Sequence, residues 1–258
     1  MSGGTIVAIA NQKGGVGKST TAINLGAGLA MQGEQVLIVD LDPQGNASSG
    51  LGVDRSAIDV STYDILVDDV PIADVLEPTS VRGLHVVPAT IELAGAEIEL
   101  VSMFSREQRL KKALAPVREE YDFLLIDSPP SLGLLTINGL AAADEVLIPI
   151  QCEYYALEGV TQLTRNIDLV IGSLNPQLEI EGVVLTMFDG RTTLSAEVVE
   201  QVRAHFGEIA YRTVIPRTVR LSEAPSYGEP IEAYDDMSRG AIAYRELARE
   251  FRRRHGRT

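Results

Sequence analysis

One cysteine, Cys152, in 258 residues leaves no partner for a disulfide within the chain and excludes a disulfide-stapled fold. It also argues against an iron–sulfur protein, whose clusters need several thiolates. Tryptophan is absent and aromatic residues make up only 5% of the chain, so its apolar content rests on Ile, Val, Leu and Ala. Such a core suits a parallel sheet covered by helices, and the length is ample to bury one. No apolar run approaches the ~20 residues that a membrane-spanning helix requires. The start, Met1-Ser2-Gly3-Gly4-Thr5, leads straight into an apolar segment, leaving no room for a signal peptide and pointing to the cytoplasm. His85, His205 and His255 are isolated, and no His/Cys constellation for metal or nucleophilic chemistry is expected. Lysine is the most telling scarcity. There are four, Lys13, Lys18, Lys111 and Lys112, and two of them lie within one six-residue stretch.

Those two bracket Gly14-Gly15-Val16-Gly17 in the segment Asn11-Gln-Lys-Gly-Gly-Val-Gly-Lys-Ser-Thr20. An apolar run precedes it and an Ala/Leu-rich stretch of helical spacing follows. The pattern predicts a strand, a glycine-rich turn and a helix N-terminus, where converging N–H groups and the helix dipole cradle phosphate. Lys18 would reach the β- and γ-phosphates, and the Ser19 hydroxyl would ligate Mg2+. A glycine-rich hairpin would have no use for Gly-Lys-Ser at the mouth of a helix. The common loop G-x-x-x-x-G-K-[ST] places glycine where this chain has Gln12, and Lys13 follows it. This K-G-G-x-G-K-S arrangement resembles the deviant Walker A loop of the ParA/MinD ATPases. Two cations so close call for a concentrated anion, and a triphosphate is the obvious one.

Continuous apolar runs recur at 5–10, 35–41, 84–88, 122–127, 145–150, 180–187 and 211–215, with helical patterns between them. Strands alternating with helices imply a doubly wound α/β fold with a mainly parallel sheet and helices on both faces, as in P-loop NTPases. Ligands in such sheets sit beyond the carboxyl ends of the strands. No repeat, linker or composition break divides residues 1–258, so one domain is expected. The acidic, weakly periodic stretch 53–79 reads as a peripheral excursion.

Two more motifs fall at strand ends. Val36-Leu-Ile-Val-Asp40 leads into Leu41-Asp42-Pro-Gln-Gly-Asn46, and a carboxylate there can orient a water beside a γ-phosphate. The resemblance assigns that role to Asp42, leaving Asp40 as a structural partner. Phe123-Leu-Leu-Ile-Asp127 looks like a Walker B strand, with Asp127 holding Mg2+ through a coordinated water. The following Ser128-Pro-Pro-Ser-Leu-Gly133 resembles the family's second switch segment. The guanine-reading Asn-Lys-x-Asp string is absent, which favours ATP. The resemblance places Pro216 and Arg217 beside the adenine.

The likeness covers nearly the whole chain. The stretches Ile215-Pro-Arg-Thr-Val-Arg-Leu-Ser-Glu-Ala-Pro-Ser-Tyr-Gly228 and Ser238-Arg-Gly-Ala-Ile-Ala-Tyr-Arg-Glu-Leu-Ala248 are very like the Soj-type chromosome-partitioning ATPases. With the loop starting at residue 11, no helix-turn-helix extension of the larger plasmid proteins is expected ahead of it. The resemblance implies a homodimer closed around two ATP molecules. Lys13 would reach the partner's nucleotide, and Gly14 would lie where the two backbones approach most closely. It further implies weak hydrolysis alone, stimulated by a ParB-type centromere-binding protein. Nonspecific double-stranded DNA would be bound through Arg191 and Arg220, giving a nucleoid-associated cytoplasmic protein.

Charge is compatible with this. The net charge is −14, yet residues 186–258 hold 12 Arg and no Lys against 11 acidic residues, while 1–185 hold 10 basic and 25 acidic ones. The basic tail 249–258 either adds DNA contacts or only solubilises. A MinD-like membrane ATPase would carry an amphipathic C-terminal helix with bulky apolar residues. Here Leu247 and Phe251 are the only large hydrophobes in the last 14 residues, a poor membrane anchor. An ATP-dependent amide ligase or carboxylase and an orphan ParA-like positioner of another cargo share the fold and remain as alternatives.

Overall fold

The computed structural model describes residues 3–154 and 156–257. Met1 and Ser2 of the expected start, and Thr258 of the basic tail, lie outside the described residues. The seven apolar runs form strands of one sheet. The first half of the chain supplies β1 (Thr5–Ile9), α1 (Lys18–Met31), β2 (Val36–Asp40), α2 (Asn46–Gly50), α3 (Thr62–Val67), β3 (Glu77–Pro78), β4 (Leu84–Val87), α4 (Leu93–Glu99), α5 (Arg109–Leu114) and β5 (Phe123–Asp127). The second supplies α6 (Leu134–Ala142), β6 (Glu145–Gln151), α7 (Ala156–Ser173), β7 (Glu179–Phe188), α8 (Thr193–Phe206), β8 (Ala210–Pro216), α9 (Val219–Glu223), α10 (Ile231–Tyr234) and α11 (Arg239–Arg254). The strand order is β3-β4-β2-β5-β1-β6-β7-β8, parallel throughout except for the β3 edge.

The continuous apolar runs follow from burial on both faces. Along β1, Ile6 and Ala8 pack into the layer that holds α3 to α8, while Val7 and Ile9 face α1 and α11. In register, Ile9 and Asp40 both lie opposite Asp127, so the carboxyl tips of β1, β2 and β5 end level. That levelling brings the three sequence motifs to one rim.

α1 is buried almost all round because it is sandwiched between the sheet and α11. A Cβ on Gly26 would come within 2.8 Å of the Ile38 side chain, and one on Gly28 within 3.0 Å of Ala248. Small residues there let the helix approach both neighbours.

The stretch 53–79 is no peripheral excursion. Ser61 caps α3 through a reciprocal capping box with Asp64. Ile65, Leu66, Ile72 and Val75 enter the core, and β3 adds an antiparallel edge strand. The tail is also docked. Phe251 is fully buried, Arg252 pairs with Glu34 at 2.8 Å, and the Arg254 guanidinium lies 3.7 Å from the centre of the Tyr211 ring.

Candidate nucleotide-binding site

The loop between β1 and α1 is fixed from three sides. The Asn11 amide donates to the Pro149 carbonyl at 2.7 Å, and its Oδ1 accepts from the Lys13 N–H at 3.0 Å. The Thr186 hydroxyl donates to the Val16 carbonyl at 2.8 Å, tying the loop to β7. Gly15 and Gly17 adopt φ of 73° and 91°, which only glycine enters without strain, and they turn the backbone into the first turn of α1.

Lys18 and Lys13 then part company. Lys18 is buried, and its ammonium donates to the Lys13 carbonyl at 3.5 Å. Burial lowers its pKa, with the Asp127 and Asp42 carboxylates pulling the other way. The Lys13 side chain is 48% exposed and rests 3.9 Å from Glu153, which also stands 3.6 Å from Arg217.

The three aspartates differ in their surroundings. Asp40 is wholly buried and accepts from the Ser48 N–H (2.9 Å), the Ser48 hydroxyl (2.7 Å) and the Asp42 N–H (3.1 Å). Those bonds make it a structural hub, and burial holds its pKa at about 6. Asp42 accepts the Gln44 N–H at 2.9 Å and lines the phosphate cavity with Lys18 and Ser19. Asp127 is buried with neither carboxylate oxygen hydrogen-bonded. The Ser19 hydroxyl lies near enough to favour its charged form without completing a bond. Burial, helped by Asp40, pushes the Asp127 pKa well above the carboxylate range.

An orphaned buried carboxylate next to a serine hydroxyl is the donor chemistry a divalent cation takes. Ser19, Asp127 and Asp42 offer hard oxygen donors suited to a largely hydrated Mg2+. Among the described residues no group of three or more His, Cys, Asp and Glu could hold a metal by itself. Such a site needs phosphate oxygens and water to complete the shell.

The cavity above the loop has a volume of about 590 Å3 and is lined by Gly14, Gly15, Gly17, Lys18, Ser19, Thr20 and Asp42. Through Gly17, Thr20, Met187 and Leu221 it opens into a smaller slot of about 170 Å3 walled by Pro216, Arg217 and Thr186. The shape suits phosphates below and a flat base above. Met187 holds φ of 53° at the junction, a strained conformation for a long side chain. Glu153 and Thr186 give no signal in the sequence, because they reach the site from distant segments. A larger groove of about 890 Å3 runs between α8, β8 and α11, away from the loop.

Arg191 and Arg220 stand on the same rim, and both are engaged. Arg191 forks onto Asp189 at 2.9 and 2.6 Å while its side chain stays 87% exposed. Arg220 pairs with Glu223 (3.1 Å) and Asp235 (3.4 Å) beside the Tyr234 ring.

A family model described as an AAA domain matches residues 4–180. The chain is 60% identical over 247 residues to the sporulation initiation inhibitor protein Soj of Bacillus subtilis, spanning 96% of this chain and 98% of that protein. It is 56% identical over 251 residues to the chromosome partitioning protein ParA of Myxococcus xanthus, spanning 97% and 89%. Among solved structures, a cobyrinic acid a,c-diamide synthase from Mycobacterium smegmatis with bound ADP and magnesium aligns with a TM-score of 0.84 and 42% identity, over 95% and 93% of the two chains. A Cyanothece McdA–ATP complex aligns with a TM-score of 0.88 at 23% identity over 100% and 98%, which shows the fold. Fold and loop together define a P-loop ATPase of the deviant Walker A type. The chain belongs to the ParA/Soj family of chromosome-partitioning ATPases.

Proposed function

We propose that this protein, acting as one unit over residues 1–258, is an ATP-dependent dimerising switch of chromosome or plasmid partitioning. The observation that supports it best is the division of labour between the two loop lysines. Lys18 is buried in its own phosphate cavity, whereas Lys13 projects from the rim with half its surface in solvent. A cation so placed, held only by the half-exposed Glu153, can serve a nucleotide held by a second copy.

In this reading the loop amides from Gly14 to Thr20, with Lys18, hold the triphosphate, and Pro216 and Arg217 flank the adenine. Ser19 and Asp127 hold Mg2+, directly or through water, with Asp42 close by. Bound there, Mg2+ would neutralise charge on the β- and γ-phosphates. Asp42 orients the hydrolytic water, and Lys13 of the partner supplies the charge that a lone protomer lacks. Within one protomer a Cβ on Gly14 meets only Pro130, at 3.9 Å. Intolerance of a side chain at that position would therefore report a second copy.

The ATP-bound dimer binds duplex DNA nonspecifically through Arg191 and Arg220 and releases it on hydrolysis, which a ParB-type partner stimulates. No helix among the described residues is long and apolar enough to cross a membrane, and the expected location is the nucleoid of the cytoplasm. Sedimentation with ATP tests the switch. The Asp42→Ala protein should run as a dimer, and adding Gly14→Val or Lys13→Ala should return it to a monomer that still binds nucleotide. A dimer that survives Gly14→Val would contradict the proposal. The 42% identity to a diamide synthase structure supports a second reading, ATP-dependent amide formation; turnover of a cobyrinic acid substrate would decide for it.

A further inference from the structure

Arg220, in the first turn of α9, is caged on three sides. One guanidinium nitrogen lies 3.1 Å from the Glu223 carboxylate and 3.5 Å from the Tyr234 hydroxyl, and Nε lies 3.4 Å from Asp235. The Tyr234 ring centre is 5.9 Å away, and that ring packs 5.0 Å from Tyr227. Tyr234 also donates to Glu223 at 3.4 Å, which closes the cage. The fork that would grip a DNA phosphate is thus already spent on carboxylates.

The two carboxylates of the cage are tied to opposite walls of the nucleotide cavity. Glu223 rides on α9, and its neighbours Leu221, Ser222, Pro225 and Ser226 line the cavity from that side. Asp235 follows α10, with its N–H on the Ile231 carbonyl at 2.8 Å. The Ile231 N–H donates to Asn24 Oδ1 at 2.7 Å, and the Asn24 amide donates to the Thr20 carbonyl at 2.7 Å. Thr20 lines the same cavity from the α1 side. Arg220 therefore moves with α9, whereas Asp235 is anchored to α1. Whatever fills the cavity bears on both.

We propose that Asp235 is an autoinhibitory latch, which keeps Arg220 from DNA until a nucleotide fills the cavity. The inference rests on the DNA reading above and adds its regulation within one protomer. A nucleotide seated between Thr20 and Leu221 presses α9 away from α1 and draws Arg220 off Asp235. The Arg220 and Asp235 side chains are 55% and 32% exposed, so their pair is weak and a small displacement opens it. Glu223 shares α9 with Arg220 and travels with it, holding the guanidinium in place without answering to the nucleotide. The latch acts separately from dimerisation, which gathers the arginines of two protomers.

The test measures duplex DNA binding at low salt by anisotropy, without nucleotide and with ATP, for the parent, Asp235→Asn and Asp236→Asn. Asp236 is exposed and lies outside the cage, so its variant reports the change of charge alone. Without nucleotide, Asp235→Asn should bind roughly two- to fivefold tighter than the parent, and Asp236→Asn should not. The gain should vanish when Arg220→Ala is added. With ATP, Asp235→Asn and the parent should converge, and ATP-dependent dimerisation should be unchanged. An absent gain overturns the latch. So does a gain that survives Arg220→Ala, is matched by Asp236→Asn, or persists undiminished with ATP. A parent chain that binds no DNA in any state refutes the DNA reading instead, and the latch is then read without DNA. The Arg220 Nε–H resonance, assigned by its loss in Arg220→Lys, should move with ATP to the position it holds in Asp235→Asn. A resonance that ATP leaves in place overturns the latch.

Discussion

At the scale of single residues, the two aspartates at the end of β2 differ: Asp40 is structural, and Asp42 carries the proposed chemistry. Asp40 accepts three hydrogen bonds in a dry site. Asp40→Ala should cost about 1–3 kcal/mol for each buried donor left unpaired, read as a fall in thermal or urea midpoint. Asp42→Ala, facing the cavity, should leave stability within about 0.5 kcal/mol and hold ATP unhydrolysed, read as bound nucleotide by chromatography. Similar stability losses in the two variants would contradict the division. The proposed DNA arginines carry a second expectation. Asp189 already occupies the Arg191 fork at 2.9 and 2.6 Å, so a DNA phosphate must displace it. Asp189→Asn should raise DNA affinity severalfold at low salt in a filter or anisotropy assay, and an unchanged affinity would place Arg191 outside the interface. The loop from Lys13 to Thr20 was legible in the sequence because its cradle is contiguous in the chain. Glu153, Met187 and Thr186 were not, because their place in the site depends on where β6 and β7 end.

At the scale of elements, α11 explains why the basic tail gives an ambiguous signal by composition. Its arginines are largely spent on the acidic body: Arg252 and Arg257 on Glu34, Arg254 over Tyr211, and Arg257 also on Asp122. Two titratable groups make that docking pH-dependent. Burial holds the Glu181 carboxyl at about 7 against an ordinary 4.5, so between those values the folded chain keeps a proton that the unfolded chain has lost. Stability therefore falls as pH rises through that window. Burial would lower the His255 pKa, yet the Glu145 carboxylate and the Phe251 carbonyl outweigh it and leave the pKa above 6.5. The stabilisation it gives is complete below 6.5 and is lost as pH climbs through the raised value. Stability should fall between about pH 5 and pH 8 by on the order of 3 kcal/mol, read as a drop in melting temperature. Glu181→Gln and His255→Gln together should make the profile shallower, with the remainder carried by the buried carboxyls of Asp40 and Asp127, and a profile as steep as the parent's would contradict the assignment. The strands were legible as elements because burial on both faces writes them as unbroken apolar runs. α3 and β3 were not: six residues and two residues are too short to carry a period, and their burial follows from the neighbours they reach.

At the scale of the whole molecule, the charge of −14 and the proposed DNA binding are reconciled only by geometry. Arg191 and Arg220 lie on the rim that carries the nucleotide, so joining two protomers by their phosphate cavities would bring four such arginines together, each released from its carboxylate partners when it takes a phosphate. About four phosphate contacts would then give a log–log salt slope of roughly −3 to −4, against half that for a monomer. The fold, the nucleotide and the family follow from motifs within the chain, whereas the dimer and its DNA belong to an assembly that one protomer only implies through the outward Lys13. The measurement that tests the account most directly is duplex DNA binding with ATP, with ADP and without nucleotide, using the Asp42→Ala chain to hold the bound state. Tight, sequence-independent binding with ATP alone, abolished by Gly14→Val and by Arg220→Ala, is the predicted result. Equal affinity in the three nucleotide states would contradict it.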